Sequence, residues 1–246
     1  MRRPTVDEAD SEVLDRRRCG MVLHEPCPLD VQLGLDGTVA IHAMSVEALG
    51  ELSVLAERLP LALLDAVDKR QREFLCGRCC AARALAHAGH TGDGWVPRGN
   101  DRLPVWPDGW VGSISHSRFG AVAVAARSSP SCRALGVDME PLVCATLAAE
   151  IEATVANPVE LTLLAALPQD LRVTLLFSAK EAVYKALYPM VRSFQDFGAA
   201  QVCGLDGNRL RLRLCRPWGP GLQEGFEVTV RHAFRNGHVY SLTCLP

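Results

Sequence analysis

Six residues of strict alternation, Arg209–Leu214 (RLRLRL), constrain the fold of this chain more than any other feature. Successive side chains of a strand point to opposite faces, so the leucines share one face and the arginines share the other. One apolar and one charged face are typical of an antiparallel sheet that packs on one side only. The alternation therefore predicts a sheet that covers a hydrophobic core.

Other segments predict a mixture of strands and helices around that sheet. The stretch 89–112 contains six Gly, three Pro and three of the four Trp, which predicts a structured loop. Further strands are predicted at 120–126, 135–139, 226–230 and 238–242, and helices at 45–59, 65–88, 142–166 and 178–188. Because these elements do not follow a βαβ rhythm, we predict an α+β fold.

Composition excludes several classes of protein. The 246 residues are 48% hydrophobic and 22% charged, as in ordinary globular proteins, which excludes a disordered chain or a disulfide miniprotein. With a net charge of -2, the protein lacks the overall positive charge that would attract nucleic acid. No apolar run approaches the roughly 18–20 residues that cross a bilayer, and residues 1–20 lack the apolar core of a signal peptide. We therefore predict a cytoplasmic protein that binds neither nucleic acid nor membrane.

The ten cysteines are predicted to be reduced thiols. The closest group, Cys76, Cys79 and Cys80, is compatible with zinc, but no second pair stands at zinc-ribbon spacing. On a helix these residues would lie on or beside an apolar face, which favours core packing.

Asp138 and Glu140 lie at the end of an apolar strand, in the sequence GVDMEP (136–141). Residues i and i+2 of a strand point to the same side, so the two carboxylates lie side by side. Such a pair suits Mg²⁺, which takes one or two carboxylates together with substrate phosphates. The alternative is a strand end that simply emerges into water.

The segment FSAKEAVYKAL (177–187) also has two interpretations. Ser178 and Glu181 have the spacing of a capping box, which would place a helix start at Ser178. Glu181 and Lys185 share a helix face, and Lys180 lies near the predicted helix start. A carboxylate beside two ammonium groups is also suited to phosphate chemistry. The carboxylate can act as a metal ligand or a base, and the ammonium groups can bind the phosphate.

A third pattern, GSISHS (112–117), is predicted to be a glycine-containing loop whose Ser115 and His116 bind phosphate oxygens. A serine hydrolase is excluded, because His116 stands where a nucleophile elbow requires Gly. Four arginines flank this pattern and either bind phosphates or are simply solvated. They are Arg70 and Arg78 on the helix 65–88, and Arg98 and Arg102 in the following loop.

Together these patterns resemble the 4′-phosphopantetheinyl transferases of the longer Sfp type, in the branch of the enterobactin-synthetase and mycobacterial enzymes. The resemblance rests on KRQREFLCGRCCAARAL (69–85), PVWPDGWVGSISHS (104–117), GVDMEP (136–141) and FSAKEAVYKAL (177–187). It implies two pseudo-symmetric α+β lobes. We expect the first at 1–134, with the basic helix and the Ser-His segment, and the second at 135–246, with the carboxylates and the FSAKEAVYK helix.

The resemblance also implies roles for the residues. Mg²⁺ would be held by Asp138, Glu140 and Glu181, and Glu181 and Lys185 would be catalytic, Glu181 as the proposed base. The coenzyme A phosphates would be contacted by Arg70, Arg78, Arg98, Arg102, Ser115, His116, Lys180 and Lys185.

The activity implied is the Mg²⁺-dependent transfer of 4′-phosphopantetheine from coenzyme A to a serine of an apo acyl or peptidyl carrier protein, by a monomeric enzyme. It would release adenosine 3′,5′-bisphosphate. Two alternatives are a Mg²⁺-dependent nucleotide phosphohydrolase and a non-catalytic coenzyme A-binding module. Because carrier proteins are typically acidic, the arginine face of 209–214 is either a docking surface or a solvated edge strand.

Overall fold

The computed structural model of the protein describes residues 28–35, 37–50 and 55–246. Its helices are α1 (Pro28–Leu33), α2 (Asp68–His87), α3 (Ala145–Val155), α4 (Pro158–Leu163) and α5 (Gln169–Val191). Its strands are β1 (Ala40–Ser45), β2 (Trp110–Ser117), β3 (Gly120–Arg127), β4 (Ala134–Pro141), β5 (Ala200–Asp206), β6 (Arg209–Leu214), β7 (Glu227–Arg235) and β8 (His238–Leu245). Single 3-10 turns cover Glu47–Leu49, Ala56–Arg58, Leu61–Leu63 and Phe197–Ala199.

The strands form two antiparallel sheets, and the predicted α+β class is confirmed. The first sheet has the order β1-β3-β2 and the second has the order β4-β8-β7-β6-β5. Strands β2 and β4, each at the edge of its own sheet, lie against each other. Residues far apart in the sequence therefore meet where these two edges come together.

The position of strand β3 in the fold explains why its side chains are small and apolar throughout. Its residues Ala121, Ala123 and Ala125 pack against Cys80 and other small residues of α2. The alternate residues, led by Val122 and Val124, enter a second core that includes Leu135 and Val137 of β4. Both faces of β3 are thus buried, and the small side chains let a helix and a second sheet approach it closely.

The second sheet is covered on one face by the long helix α5. Buried residues of α5 pack on the leucines of β6 and on valines of β7 and β8 in the largest hydrophobic core. The buried pattern of β6 alternates with period two, as the sequence predicts. However, β6 lies between β7 and β5, so the expectation of an edge strand is wrong.

Several predicted boundaries differ from the structure. The segment 112–117 belongs to strand β2 instead of a loop. The segment 142–166 contains two helices, and the second begins with a true capping box between Asn157 and Glu160. Of the predicted helix 45–59, residues 51–54 lie outside the described residues, and the described parts form only short 3-10 turns.

The capping box predicted at Ser178 and Glu181 is wrong. Helix α5 begins at Gln169, nine residues earlier, so Ser178 lies in its interior and is fully buried. Pro189 lies within the last turn, and the helix ends two residues later, before Arg192, which adopts a left-handed φ of 53°. The position of Glu181 therefore has no explanation in helix capping.

The described cysteines are free thiols, and Cys76, Cys79 and Cys80 are buried in the core around α2, as predicted. The leader 1–20 and the other two cysteines, Cys19 and Cys27, lie outside the described residues. In the part of the chain that the structure describes, no helix combines the length and the apolar character needed to cross a membrane.

Candidate active site

Three polar side chains meet where β2 and β4 lie together. The Ser115 hydroxyl, from β2, donates a hydrogen bond to Oδ1 of Asp138, on β4, at 3.0 Å. The Lys185 ammonium, from α5, donates to the same Oδ1 at 2.5 Å and to Oγ of Ser115 at 2.9 Å. Asp138 is only 1% exposed, so its charge depends on Lys185 for compensation.

Gly136 allows α5 to reach this position. A Cβ atom added at Gly136 would lie 1.9 Å from the carbonyl oxygen of Ala182 and 2.8 Å from the amide nitrogen of Ala186. Only a residue without a side chain permits this contact between the backbones of β4 and α5. The contact places Glu181 and Lys185, which directly precede Ala182 and Ala186, beside the carboxylates of β4.

Three carboxylates face one another at this point. Burial, together with the charges of Asp138 and Glu181 and against the opposing effect of Lys185, raises the pKa of Glu140 to about 7. Burial also raises the pKa of Glu181, and Lys185 lowers it while Asp138 raises it. The site therefore concentrates more negative charge than Lys185 compensates.

The donor set fits a small divalent cation. Oδ2 of Asp138 is buried and has no hydrogen-bond partner among the described residues, although a buried carboxylate oxygen normally has one. Carboxylate oxygens are the ligands that Mg²⁺ prefers. Within the described ranges, however, no three His, Cys, Asp or Glu side chains are close enough to form a complete metal centre by themselves.

A second, cationic cluster lies next to Ser115. Nδ1 of His116 lies 3.8 Å from a carboxylate oxygen of Glu73, which also pairs with Arg70 at 3.5 Å. Burial lowers the pKa of His116, and the positive charges of Arg70, Lys185 and Arg78 lower it further, against the effect of Glu73. Helix α2 and strand β2 thus bring several cations and one neutral imidazole together.

Arg78 is the buried member of this cluster. It is 6% exposed, its guanidinium lies over the ring of Phe74 at 4.7 Å, and its Nε has no hydrogen-bond partner among the described residues. Burial, together with the nearby charge of Arg98, lowers its pKa to about 10. A buried guanidinium with an unused donor is suited to bind an anion.

The loop between α2 and β2 brings Arg98 towards this cluster but not Arg102. Arg102 is exposed and has a left-handed φ of 70°, in a turn closed by its amide on the carbonyl of Gly99. No contact among the described residues joins Arg102 to the other predicted phosphate ligands. An ion pair between Asp101 and Arg192 ties the same turn to the end of α5.

The structure does not bring Lys180 to the other predicted residues. Its ammonium is 5% exposed and donates to the carbonyl of Val155 at 2.7 Å and to the carboxylate of Glu160 at 3.0 Å. Glu160 also accepts from the amide of Val202, so the pair joins α4, α5 and β5. This geometry gives Lys180 a structural role in place of the expected phosphate contact.

A cavity of about 570 Å³ opens beside Lys185. It lies between β2, the end of α5 and the loop before β2, and its lining includes Trp106, Trp110, Tyr184 and Tyr188. This volume falls within the range of pockets for small molecules and cofactors.

Sequence reasoning missed two residues of this site. Glu73 holds both Arg70 and His116, and its only signal is its position one helical turn after Arg70. Gly136 begins the motif GVDMEP, but its need for a bare backbone follows only from the contact with α5.

Comparison with known proteins places this geometry in a family. The model described as "4'-phosphopantetheinyl transferase N-terminal domain" matches residues 59–126, and that of the "4'-phosphopantetheinyl transferase superfamily" matches residues 134–241. The first match includes α2 and β2, and the second includes β4 and α5. Both clusters described above therefore lie within the matched segments.

Three relatives have similar sequences. Enterobactin synthase component D from Salmonella typhimurium is 38% identical over 155 residues, which cover 62% of each chain. 4'-phosphopantetheinyl transferase Svp from Streptomyces mobaraensis is 36% identical over 168 residues, 67% of each chain. 4'-phosphopantetheinyl transferase PptT from Mycobacterium tuberculosis is 35% identical over 156 residues, 61% of this chain and 65% of the relative. The chain thus matches about 62% of the length of the enterobactin synthase components, and it belongs to the 4′-phosphopantetheinyl transferase superfamily.

Proposed function

We propose that the protein transfers the 4′-phosphopantetheinyl group from coenzyme A to a serine of an apo acyl or peptidyl carrier protein and releases adenosine 3′,5′-bisphosphate. The observation that carries this proposal is the contact of Lys185 with Ser115 and Asp138, between three carboxylates on one side and a cationic cluster on the other. Negative and positive groups on adjacent surfaces suit a substrate that carries several phosphates and a metal ion. Membership in the superfamily supports the same reaction.

The cationic cluster would bind the phosphates of coenzyme A. Arg70 and Arg78 would hold the 3′-phosphate through charged hydrogen bonds, with Arg98 beside them. Ser115 and His116 would contact the pyrophosphate, because they lie between this cluster and Lys185. Burial of Arg78 strengthens its attraction for an anion, since little water competes there.

Asp138, Glu140 and Glu181 would hold Mg²⁺. When bound, the ion would neutralise the pyrophosphate and make its β-phosphorus more open to attack. The unpartnered Oδ2 of Asp138 and the raised pKa values of Glu140 and Glu181 support this assignment, because a cation would satisfy all three groups.

The reaction would form one bond and break another at the same phosphorus. The serine oxygen of the carrier protein would attack the β-phosphorus, and the bond to the bridging oxygen of the pyrophosphate would break. Glu181, directly or through a water molecule, would accept the serine proton. Lys185 would offset the negative charge that develops on the departing bisphosphate.

We further propose that the enzyme works as a monomer in the cytoplasm and needs no nucleic acid or membrane. The free thiols of the described cysteines support a reducing compartment. Size-exclusion chromatography with light scattering would test the monomeric state.

The decisive experiment incubates the purified protein with coenzyme A, Mg²⁺ and apo acyl and peptidyl carrier proteins. We expect mass spectrometry to detect one added phosphopantetheinyl group per carrier protein, and none without Mg²⁺. Cleavage of coenzyme A without any carrier protein would overturn the proposal and favour the phosphohydrolase alternative. Binding of coenzyme A without cleavage or transfer would favour the non-catalytic alternative.

A further inference from the structure

A second cavity, of about 700 Å³, is lined by residues of β3, β6, β7 and β8 and of the segments before β1 and between β3 and β4. Three arginines line it, Arg127 at the end of β3, Arg209 on β6 and Arg231 on β7. Among the described residues that line the cavity there is no Asp or Glu. The described part of the lining is therefore positively charged.

Two of these arginines repel each other. Arg209 and Arg231 are directly opposite in the register of β6 and β7, so their side chains leave the same face of the sheet. Like charges in this arrangement destabilise a sheet. Asp206 is the neighbour of Arg209 on its other side, but it is exposed, and no ion pair joins the two among the described contacts.

The other arginines of the same strand differ from Arg209. Arg211 and Arg213 are exposed on the same face of β6, and both pair with Glu227, at 3.9 Å and 2.7 Å. Arg211 and Arg213 thus share one carboxylate. Among the described contacts of β6, Arg209 is the arginine that pairs with no acidic side chain, and it lies at the end of the strand that borders the cavity.

Contacts within the protein fix the positions of the other two arginines. The guanidinium of Arg127 lies over the ring of Trp110 at 4.8 Å. One nitrogen of Arg231 donates to the carbonyls of Leu33 and Gly34, which leaves its remaining N–H groups to other acceptors. Arg127 and Arg231 are thus held in place, although no acidic side chain among the described residues of the lining binds them.

Hydroxyl groups complete the lining. Ser129 and Ser131, in the turn between β3 and β4, border the cavity, and their hydroxyl oxygens lie 3.1 Å apart. Neighbouring hydroxyls and guanidinium groups are the donors that bind phosphate oxygens. We propose that this cavity binds a small phosphate-bearing anion, either an inorganic phosphate or a phosphorylated metabolite.

This site is separate from the candidate active site. The described residues that line this cavity and those that line the cavity beside Lys185 have no member in common, although Arg127 of the one lies over Trp110 of the other. Arg127 is paired with Trp110 in the ladder of β3 and β2, whereas Ser115 lies five residues further along β2, about 17 Å away. The proposal therefore does not rest on the phosphopantetheinyl transfer proposed above, and either one can fail without the other.

The test measures the melting temperature with inorganic phosphate, with ribose 5-phosphate, and with potassium chloride at equal ionic strength. All measurements use an Arg78→Gln background, which weakens the binding of a phosphate at the proposed 3′-phosphate site. We expect inorganic phosphate, and ribose 5-phosphate if a metabolite is the ligand, to raise the melting temperature beyond the effect of the chloride. Titration calorimetry on the same protein should give one binding site.

Adding Arg209→Gln should remove this rise and weaken binding at least about tenfold, because a charged hydrogen bond to the anion is lost. Adding Arg211→Gln, on the same strand and face but paired with Glu227, should leave the rise intact. Equal rises in both variants, or no rise beyond that of chloride in the background protein, would overturn the proposal. Because the side chain of Arg209 donates no hydrogen bond to any of the described residues, Arg209→Gln should fold normally.

Discussion

Lys180 and Lys185, five residues apart on α5, point to different parts of the molecule. Lys180 pairs with Glu160 inside the core of the second sheet, whereas Lys185 reaches Asp138 and Ser115 at the meeting edges of the two sheets. Five residues rotate a helix by about 140°, so the two ammonium groups cannot share a face. One helix thus stabilises the fold with one lysine and builds the site with the other.

The first prediction concerns the pair of Lys185 and Asp138. Lys185→Gln leaves the buried carboxylate of Asp138 without its cation, and breaking a buried pair costs about 3–5 kcal/mol. We expect a loss at the lower end of that range in urea unfolding, because the side chain of Lys185 is 28% exposed.

The double variant Asp138→Asn with Lys185→Gln is the control for that prediction. Since it removes both charges, it should be less destabilised than the sum of the single variants by about 0.5–3 kcal/mol. Strict additivity of the two single losses would contradict the pairing.

The second prediction concerns Gly136. Gly136→Ala would force a methyl group into the backbone of α5, so we expect a large fall in the melting temperature, or no folded protein at all. Gly219→Ala is the matched control, because its added Cβ would make only an ordinary contact at 3.6 Å with Val191. A normal melting curve for Gly136→Ala would show that α5 does not approach β4 as closely as described.

The third prediction separates the roles of Ser178 and Glu181. Ser178→Ala should leave the free energy of unfolding unchanged or raise it by up to about 1 kcal/mol, because the buried hydroxyl has no partner among the described residues. If Ser178 capped a helix, the same change would cost about 1 kcal/mol.

Glu181→Gln should reduce transfer about 100-fold or more, since glutamine can neither hold Mg²⁺ by charge nor accept a proton. Its melting temperature without Mg²⁺ and coenzyme A should change little, because Glu181 lies within a continuous helix. Near-normal transfer by this variant at limiting Mg²⁺ would remove Glu181 from the proposed metal site.

The fourth prediction concerns the buried guanidinium. Arg78→Gln should raise the KM for coenzyme A more than about tenfold, because a charged hydrogen bond to the 3′-phosphate is lost. The KM for dephospho-coenzyme A, which lacks that phosphate, should rise much less. Arg72→Gln is the control on the same helix, since Arg72 pairs with Asp68 away from the cluster. Equal increases for both substrates would contradict the assignment.

The fifth prediction concerns pH. Burial, then the charge of Arg70, keeps the pKa of His116 below its usual value of 6.5, so the free protein holds a neutral imidazole near pH 7. Bound phosphate adds negative charge and raises that pKa, so binding takes up a proton. The affinity for coenzyme A, measured without Mg²⁺, should therefore rise as the pH falls from about 8 to about 6.

Titration calorimetry in buffers of different ionisation enthalpy would measure this proton uptake. His116→Gln should reduce it, with the remainder taken up by Glu140, whose pKa is raised to about 7, whereas His87→Gln, at the exposed end of α2, should retain it in full. Undiminished proton uptake in His116→Gln would assign the whole uptake to other groups.

The sequence by itself determined the α+β class, the strands with period-two or continuous apolar patterns, the helix ending before Gly89, and the residue types of the site. These features are local, because strand alternation, the residues that begin and end helices, and motif spacing depend on neighbours within about ten residues. The tertiary structure alone decided that Ser178 is a core residue, that Lys180 pairs with Glu160, and that Gly136 must lack a side chain. The requirement at Gly136 depends on the packing of α5 against β4, and the ion pair of Lys180 depends on the packing of α5 against α4. A backbone contact between segments about 46 residues apart leaves no local pattern in the sequence.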